Sequence, residues 1–235
     1  MSKEADSGEV VQLRGMWASP AVHRVAWALR LKGVEEDLER KSPALLELNP
    51  ITKQVPVLVH GGRPVVESLV ILEYIDEVWS GAAGAPPLLP ENPYERARAR
   101  FLAAFVEDKS REATRKVFFA PEKERGEGLR SLEEILEVLE KELKSKEGEF
   151  FGGRSIGYLD LAVGWMPFWL GVVLEGVLDC KVMNAIKFPT FYLWSKFFLQ
   201  NPPEEKWESI ITLPPREKAI EYFIKYRQLY SDSPK

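Results

Sequence analysis

The sequence divides into two halves whose hydrophobic patterns favour different secondary structures. Up to residue 81, short β-branched runs such as VPVLVH (55–60) alternate with segments that carry apolar residues at helical spacing. A stretch rich in Gly, Ala and Pro interrupts both patterns, and beyond it nearly all the apolar residues recur at helical spacing. We therefore predict an α/β domain at 9–81, a linker at 82–93 and an all-helical domain at 94–231.

The composition limits the chemistry and the partners. The 235 residues carry a net charge of -4, without the basic surplus that is typical of proteins that bind nucleic acid or anionic membranes. One cysteine and two histidines exclude an intrachain disulfide and a zinc site built from His and Cys. We expect a cytoplasmic protein with no metal and no nucleic-acid or membrane partner.

The longest charge-free apolar stretch spans 161–174 and contains Pro167. These 14 residues fall short of the ~18 that a membrane span requires, so they predict the centre of a buried core helix at 159–178. The first ten residues, MSKEADSGEV, are polar and acidic, unlike the apolar core of a signal peptide. We expect neither a membrane segment nor a secretion signal.

Ser19 stands directly before Pro20, at the start of a predicted helix that Gly33 ends. A serine hydroxyl at a helix N-terminus can donate to an anion, and the helix dipole adds to the attraction. The alternative is an ordinary N-cap serine. A serine hydrolase is disfavoured, because the sequence has no G-x-S-x-G motif and few histidines to act as a base.

Two further positions could hold a ligand. Pro56 lies just inside an apolar strand, where it has no backbone N–H to donate to a neighbouring strand. A cis peptide bond before Pro56, in a tight turn, would leave the Val55 backbone free to pair with a ligand. Glu67 and Ser68 precede a predicted helix that Ser68 caps, and this corner could take an ammonium and a carboxylate group. The alternatives are an edge-strand proline and an ordinary capped helix. Together with Ser19, these groups could hold a short zwitterionic peptide.

The sequence resembles the cytosolic glutathione transferases, and within them the tau class of plants. The resemblance spans about 10–230 and rests on WASPAVHRVAWALRLKGV (17–34), EEDLERKSPALLELNP (35–50), KQVPVLVHGGRPVVESLVILEYIDEVW (53–79), LLPENPYERARARF (88–101) and FFGGRSIGYLDLA (150–162). It implies a thioredoxin-like domain that binds glutathione as co-substrate, a helical domain that binds hydrophobic electrophiles, and a homodimer. It also implies thioether formation, with reduction of organic hydroperoxides as a side activity.

The resemblance assigns the central chemistry to Ser19, which matches the tau-class serine whose hydroxyl points at the glutathione sulfur. Lys41 matches the lysine that contacts the glycine end of glutathione. A free thiol has a pKa of about 8.5 and is mostly protonated at neutral pH. Lowering the pKa of the thiol by ~2 units favours the thiolate a hundredfold and requires ~2.7 kcal/mol. A single hydrogen bond to a charged group contributes ~1.5–3 kcal/mol, which is close to this requirement. A general base is therefore not required.

Other positions carry over in the same way. Val55, before a presumed cis-Pro56, matches the residue whose backbone pairs with the cysteinyl unit. Glu67 and Ser68 match the pair that holds the γ-glutamyl group. Gln54 stands where a lysine is common, and its neutral amide would bind the glutathione carboxylate more weakly than an ammonium group.

The electrophile site implied by the resemblance draws on both domains. Arg111 and Arg115 lie on the long first helix of the second domain, and Trp169 lies on the buried helix. Met16 and Ala21 would face the same cavity from the first domain. The family commonly has an aromatic residue where this chain has Ala21, so we expect a wider pocket.

One departure supports an alternative function. About five residues of the family pattern are absent after Gly33, so the second strand is expected to be shortened or missing. A non-catalytic carrier of hydrophobic ligands on the same fold is therefore the alternative to an enzyme. A thiol-exchange enzyme is disfavoured because Ser19 stands where such relatives have cysteine.

Glu77 and Arg96 are candidate partners in contacts between the two subunits of the expected dimer.

Three smaller expectations concern structure rather than chemistry. Gly157 and Asp160 form half of a capping box, because a glycine cap has no side chain to accept a hydrogen bond. His23 is expected on the exposed surface of the first helix. The charged run at 122–127 is expected to be a solvated turn between helices.

Overall fold

The first domain is organised around a mixed β-sheet. The structure is a computed structural model that describes residues 10–35, 37–40, 44–200 and 210–231. Within those ranges the sheet has four strands in the order β2-β1-β3-β4, with β1 and β2 parallel and the other pairs antiparallel. Its elements are β1 Val11–Gly15, α1 Pro20–Leu31, β2 Asp37–Arg40, α2 Ala44–Leu48, β3 Val57–His60, β4 Arg63–Val66 and α3 Ser68–Val78.

Helix α1 follows the predicted bounds. It begins at Pro20, and its C-terminus has Gly33 at a φ of 67°. The amide of Gly33 donates to the Arg30 carbonyl, and the amide of Val34 donates to the Leu29 carbonyl, each over 2.9 Å. This pairing is a Schellman motif, in which glycine adopts the left-handed conformation without a steric penalty.

The second strand is shorter than a typical strand but present. Its four residues pair in parallel with β1, from Gln12 opposite Asp37 to Gly15 opposite Arg40. Parallel neighbours need a crossover connection, and α1 supplies it. Of the two expected alternatives, a shortened strand or a missing one, the structure excludes the second. The charged sequence DLER hid the strand, because its place at the sheet edge depends on backbone pairing rather than on an apolar pattern.

The second domain is helical throughout its described part, apart from an isolated bridge between Phe150 and Gly153. The elements of the second domain are α4 Pro93–Phe119, α5 Glu122–Lys144, α6 Tyr158–Val163, α7 Met166–Leu170, a π-helical segment Gly171–Val177, α8 Pro189–Gln200 and α9 Arg216–Ser231. The predicted fold class, a thioredoxin-like α/β domain followed by a helical domain, is confirmed.

The charged run 122–127 is the start of α5, so the predicted turn there is wrong. Gly128, just beyond this run, has a packing role in α5. A Cβ at Gly128 would lie 2.7 Å from the Ala113 carbonyl oxygen of α4 and 2.7 Å from a Val117 methyl group. Only glycine allows α4 and α5 to approach this closely.

The predicted apolar helix at 159–178 consists of three consecutive pieces, α6, α7 and the π-helical segment. In the described part of the chain, Tyr158–Val177 is long and apolar enough to cross a membrane, but 67% of its most apolar stretch is buried inside the fold. Asp160 within it is fully buried and accepts hydrogen bonds from the backbone of Phe151, Gly152 and Gly157 and from the Trp194 indole. The expected Asp160 half of the capping box is confirmed.

A charged pair anchors the chain between the domains. The buried Lys32 ammonium lies 2.9 Å from the Asp76 carboxylate and donates to the Pro86 carbonyl over 3.0 Å. Asp76 in turn accepts hydrogen bonds from the amides of Leu88 and Leu89. The segment that follows α3 is thus fixed to the first domain on its way to α4.

Candidate functional site

Two adjoining cavities lie where the first domain meets the helical domain. The smaller has a volume of about 320 Å³ and is lined by the loop before β3 and by the corner between β4 and α3. The larger, of about 740 Å³, has apolar side chains of α7 and the π-helical segment on one side and polar side chains of α4 on the other. We call them the polar cavity and the apolar cavity. Ala21, Glu107 and Arg111 line both, so the two cavities share a wall.

The loop that lines the polar cavity is held by a buried asparagine. The Asn49 amide donates to the Thr52 hydroxyl over 2.7 Å and to the Gln54 carbonyl over 3.1 Å, and it accepts from the Thr52 amide. The peptide bond between Val55 and Pro56 is cis, as predicted. Val55 precedes the paired residues of β3, so its backbone lies outside the strand ladder. Gln54, Val55 and Pro56 all line the polar cavity.

The corner between β4 and α3 supplies the opposite lining. Glu67 is the N-cap residue, with a φ of 67°, and Ser68 is the first residue of α3. The prediction that Ser68 caps the helix is therefore wrong by one position. No side chain caps the helix, so its first amides are open to an acceptor. Glu67 and Ser68 both line the polar cavity.

Arg24 connects this corner to the second domain. Its guanidinium donates to the Ser68 hydroxyl oxygen over 3.1 Å and to the Glu107 carboxylate over 2.9 Å, and Arg111 lies 3.5 Å from the same carboxylate. Burial acts to raise the pKa of the Glu107 carboxyl, but the charges and hydrogen bonds of Arg24 and Arg111 together outweigh burial and lower that pKa below its usual range. The one carboxylate of the shared wall is therefore flanked by two guanidinium groups, which leave an excess of positive charge.

Ser19 is the N-cap residue of α1, and its side chain makes no capping hydrogen bond. Its amide donates to the Met16 carbonyl over 2.9 Å, and the next residue, Pro20, lines the apolar cavity. The hydroxyl is thus not committed to the helix, although Ser19 itself is not among the described residues that line either cavity. Its catalytic role stays a prediction.

The five predicted electrophile-site residues separate into two groups. Ala21, Arg111 and Trp169 line the apolar cavity, and the Trp169 indole donates to the Ala18 carbonyl over 3.0 Å. Met16 and Arg115 do not belong to the described lining of the apolar cavity. The Met16 sulfur instead accepts from the Tyr222 hydroxyl of α9, and Arg115 is exposed on α4.

Comparison with known proteins agrees with this geometry. Residues 9–77 match the family described as "Glutathione S-transferase, N-terminal domain". The maize protein named glutathione transferase GST 23 is 48% identical over 80% of this chain and 85% of its own length. Glutathione S-transferase U7 of Arabidopsis thaliana is 42% identical over 93% of both chains. The chain belongs to the glutathione S-transferase family.

Solved structures place this transferase in the tau class. A tau-class glutathione S-transferase from mango has a TM-score of 0.79 and 35% identity, with 91% of this chain and 96% of the mango chain covered. Rice GST1, solved in complex with glutathione, has a TM-score of 0.80 and 30% identity, with 94% and 98% covered. The resemblance drawn from the sequence is confirmed, and with it the prediction of a transferase enzyme.

Sequence reasoning missed several residues of this transferase's site. Arg24 and Glu107 give no sequence signal, because each looks like an ordinary charged residue of an amphipathic helix. His23 was expected on the surface, but its Nε2 lies 2.7 Å from the Trp17 carbonyl and its Nδ1 lies 3.2 Å from the Thr212 carbonyl. Burial lowers the pKa of His23. One predicted residue, Lys41, lies outside the described residues.

The described residues hold no group of three or more His, Cys, Asp or Glu side chains that could bind a metal ion.

Proposed function

We propose that this transferase forms a thioether between glutathione in the polar cavity and a hydrophobic electrophile in the apolar cavity. The observation that carries the proposal is the wall that the two cavities share, with Ala21, Glu107 and Arg111 facing both. A polar site for a peptide next to an apolar site for a second substrate brings the two reactants together. Proximity of this kind supplies much of the acceleration of a bimolecular reaction.

The polar cavity offers a complementary group for each part of glutathione. The Glu67 carboxylate suits the γ-glutamyl ammonium group, and the Ser68 hydroxyl with the open amides of α3 suits the neighbouring carboxylate. The Arg24 guanidinium donates to the Ser68 oxygen, which leaves the Ser68 proton free for that carboxylate. The Val55 backbone suits the cysteinyl unit. Gln54 and Lys41 are proposed to bind the glycine carboxylate.

Ser19 is proposed to stabilise the thiolate of glutathione. Its hydroxyl would donate to the sulfur at the N-terminus of α1, where the helix dipole also favours a negative charge. The thiolate then attacks the electrophilic carbon and forms the carbon–sulfur bond. In a substitution the leaving group departs with the electron pair, and in a conjugate addition water protonates the carbanion. Hydroperoxide reduction would use two glutathione molecules and yield an alcohol, water and glutathione disulfide.

The apolar cavity indicates the class of second substrate. Trp165, Trp169, Leu170, Val173 and Phe223 provide an apolar, partly aromatic lining that suits aryl or alkyl electrophiles. The alternative of a non-catalytic carrier relied on a shortened or missing second strand. Because β2 is present and pairs with β1 over all four of its residues, this support is weakened.

The assembly and compartment proposed here are a homodimer in the cytoplasm. Helices α3 and α4 carry exposed apolar side chains, with Val70 exposed by 55%, Phe101 by 64% and Tyr94 by 70%. A second subunit could cover them. Glu77 is exposed and stays a candidate partner, whereas Arg96 already donates to the Pro90 and Glu91 carbonyls. Sedimentation equilibrium would measure the subunit number.

The decisive experiment compares the wild type with Ser19→Ala in the conjugation of glutathione to 1-chloro-2,4-dinitrobenzene. We expect a clear wild-type rate that falls about a hundredfold in the variant, with glutathione binding by calorimetry changed little. Ser19→Thr, which keeps a hydroxyl, should retain part of the rate. A wild type that binds glutathione without any rate above background would contradict the enzymatic proposal. An unaltered rate in Ser19→Ala would exclude the role of Ser19.

A further inference from the structure

The turn that carries Ser19, residues 16–19, is held at three successive carbonyl groups. We call it the Ser19 turn. The Met16 carbonyl accepts the Ser19 amide over 2.9 Å, within the turn itself. The carbonyls of Trp17 and Ala18 each lie within hydrogen-bond distance of a ring nitrogen of another side chain. Because the Ser19 side chain makes no capping hydrogen bond, these backbone restraints set the position from which its hydroxyl points.

His23 holds the first of the two ring-bound carbonyls. Its Nε2 lies 2.7 Å from the Trp17 carbonyl oxygen, and its Nδ1 lies 3.2 Å from the Thr212 carbonyl oxygen. Burial lowers the pKa of His23, so at neutral pH the ring is neutral and carries one N–H. A carbonyl oxygen only accepts, so the shorter contact assigns this proton to Nε2. The Thr212 carbonyl has another donor, the Trp27 indole, over 3.1 Å.

Trp169 holds the next carbonyl from the helical domain. Its side chain on α7 is buried, and the indole donates to the carbonyl of Ala18, which is buried as well, so water does not replace this donor. The Trp169 and His23 rings also contact each other, with centres 5.1 Å apart and an angle of 57° between the planes. Trp169 lines the apolar cavity too. One side chain therefore forms part of the electrophile wall and binds the peptide group directly before Ser19.

We propose that His23 and Trp169 are positioning residues, which hold the two peptide groups before Ser19 so that its hydroxyl faces the glutathione sulfur. This role rests on the proposed function, in which Ser19 donates to the thiolate. Each ring acts through the backbone of the Ser19 turn rather than on the sulfur itself. A hydrogen bond to a charged group is short and directional, so a displacement of about 1 Å removes much of its effect.

The test measures the pKa of the glutathione thiol in the complex of enzyme and glutathione, from the ultraviolet absorbance of the thiolate. His23→Phe and Trp169→Phe each keep a ring and lose the N–H that binds the Ser19 turn. We expect each variant to raise the thiol pKa, with about tenfold less thiolate at pH values below the wild-type pKa. His23→Gln, whose amide can still donate to the Trp17 carbonyl, should restore most of the thiolate.

A merely structural role would not produce this pattern. S-methylglutathione, which has no thiol, should bind both phenylalanine variants as tightly as it binds the wild type. Trp165→Phe is the matched control for Trp169, because Trp165 lines the same cavity but its buried Nε1 has no hydrogen-bond partner among the described residues. His60→Phe is the control for His23, since His60 pairs with Val11 at the far end of β1 from the Ser19 turn. Both controls should keep the wild-type thiol pKa.

Ser19→Ala distinguishes a failure of the positioning role from a failure of the proposed function. It should raise the thiol pKa, and neither phenylalanine substitution should raise it further in that background, since no hydroxyl is left to position. A wild-type thiol pKa in Ser19→Ala would overturn the role of Ser19 and the positioning role with it. A raised pKa in Ser19→Ala with wild-type values in both phenylalanine variants would overturn the positioning role alone. Should these variants fail to fold, His23→Asn, whose amide does not extend as far as Nε2, takes their place.

Discussion

Arg24 on α1 donates a hydrogen bond of 3.1 Å to the hydroxyl oxygen of Ser68, the first residue of α3. The same guanidinium group bonds the Glu107 carboxylate of α4 over 2.9 Å. Arg24 is only 2% exposed and Glu107 is 30% exposed, so this link between the two domains is partly shielded from solvent. One side chain thus sets the position of the Ser68 hydroxyl and neutralises a carboxylate in the wall between the two cavities.

Arg24→Gln should therefore damage glutathione binding more than turnover. The amide cannot keep both hydrogen bonds and carries no charge, so Ser68 loses its fixed orientation and Glu107 loses its counter-charge. We expect the KM for glutathione to rise about tenfold, with a smaller change in kcat. Steady-state kinetics with varied glutathione measures both. Arg115→Gln, on the exposed face of α4, is the matched control, and an equal effect there would contradict the role of Arg24.

The ion pair between Arg24 and Glu107 also predicts a pH dependence of stability. The pKa of Glu107 is lowered in the folded chain, so the native state holds fewer protons than the unfolded state around that pKa. The stabilisation is fully present above the unfolded value of 4.5 and is lost as pH falls through the lowered folded pKa. Urea unfolding of the wild type and of Glu107→Gln should differ most at neutral pH.

Below the lowered pKa of Glu107 the two unfolding free energies should converge, since the carboxyl group is then neutral in both states. A difference that stays constant from neutral to acidic pH would show that the effect is steric. Asp108→Asn, an exposed neighbour on α4, supplies the control for a general change of charge.

Local features of the chain were predictable because nearby residues determine them. Pro20 and Gly33 mark the ends of α1. The position of Pro56 left a cis bond and an edge-strand proline open, and the family resemblance favoured the cis bond that the structure has. Asp160 stands at the third position of its helix, where a carboxylate can accept the amide of the cap residue. The order of these signals was also specific enough to identify the family.

Features that depend on the crossing of distant elements were not predictable. Arg24 and Glu107 are 83 positions apart, and nothing in either local pattern indicates that α1 and α4 approach each other. The local pattern predicts that His23 is exposed on its helix, but the carbonyl of Thr212, 189 positions away, contacts its ring. The charged run 122–127 was interpreted as a turn, because the sequence does not show that α4 packs against the helix that this run begins. Tertiary packing overrode local preference in each case.

Asp160 should be essential for stability and irrelevant to the chemistry. Its Oδ1 accepts from the Phe151 amide and the Trp194 indole, and its Oδ2 accepts from the amides of Gly152 and Gly157. Burial raises the pKa of Asp160 to about 6, although these four donors act in the opposite direction. In Asp160→Asn, an amide nitrogen replaces one oxygen and faces two donors.

We expect Asp160→Asn to lose about 3 kcal/mol of unfolding free energy, the range for donors left unpaired in a buried site. Denaturant unfolding measures the loss, and the kinetic constants of the fraction that folds should match those of the wild type. Asp179→Asn removes a carboxylate from an exposed residue and should be near neutral. A stable Asp160→Asn protein would contradict the importance of the four hydrogen bonds.

Ala21 should control which electrophiles are accepted, because its small side chain lies on the wall common to the polar and apolar cavities. Ala21→Phe adds a ring to that wall and narrows the apolar cavity. We expect kcat/KM for a bulky electrophile to fall about tenfold or more, and that for a small one to change about threefold at most. The ratio of the two values is the measurement, with glutathione saturating. Ala104→Phe, on the exposed side of α4, is the control. A parallel fall for both electrophiles would indicate instead that the added ring displaces glutathione.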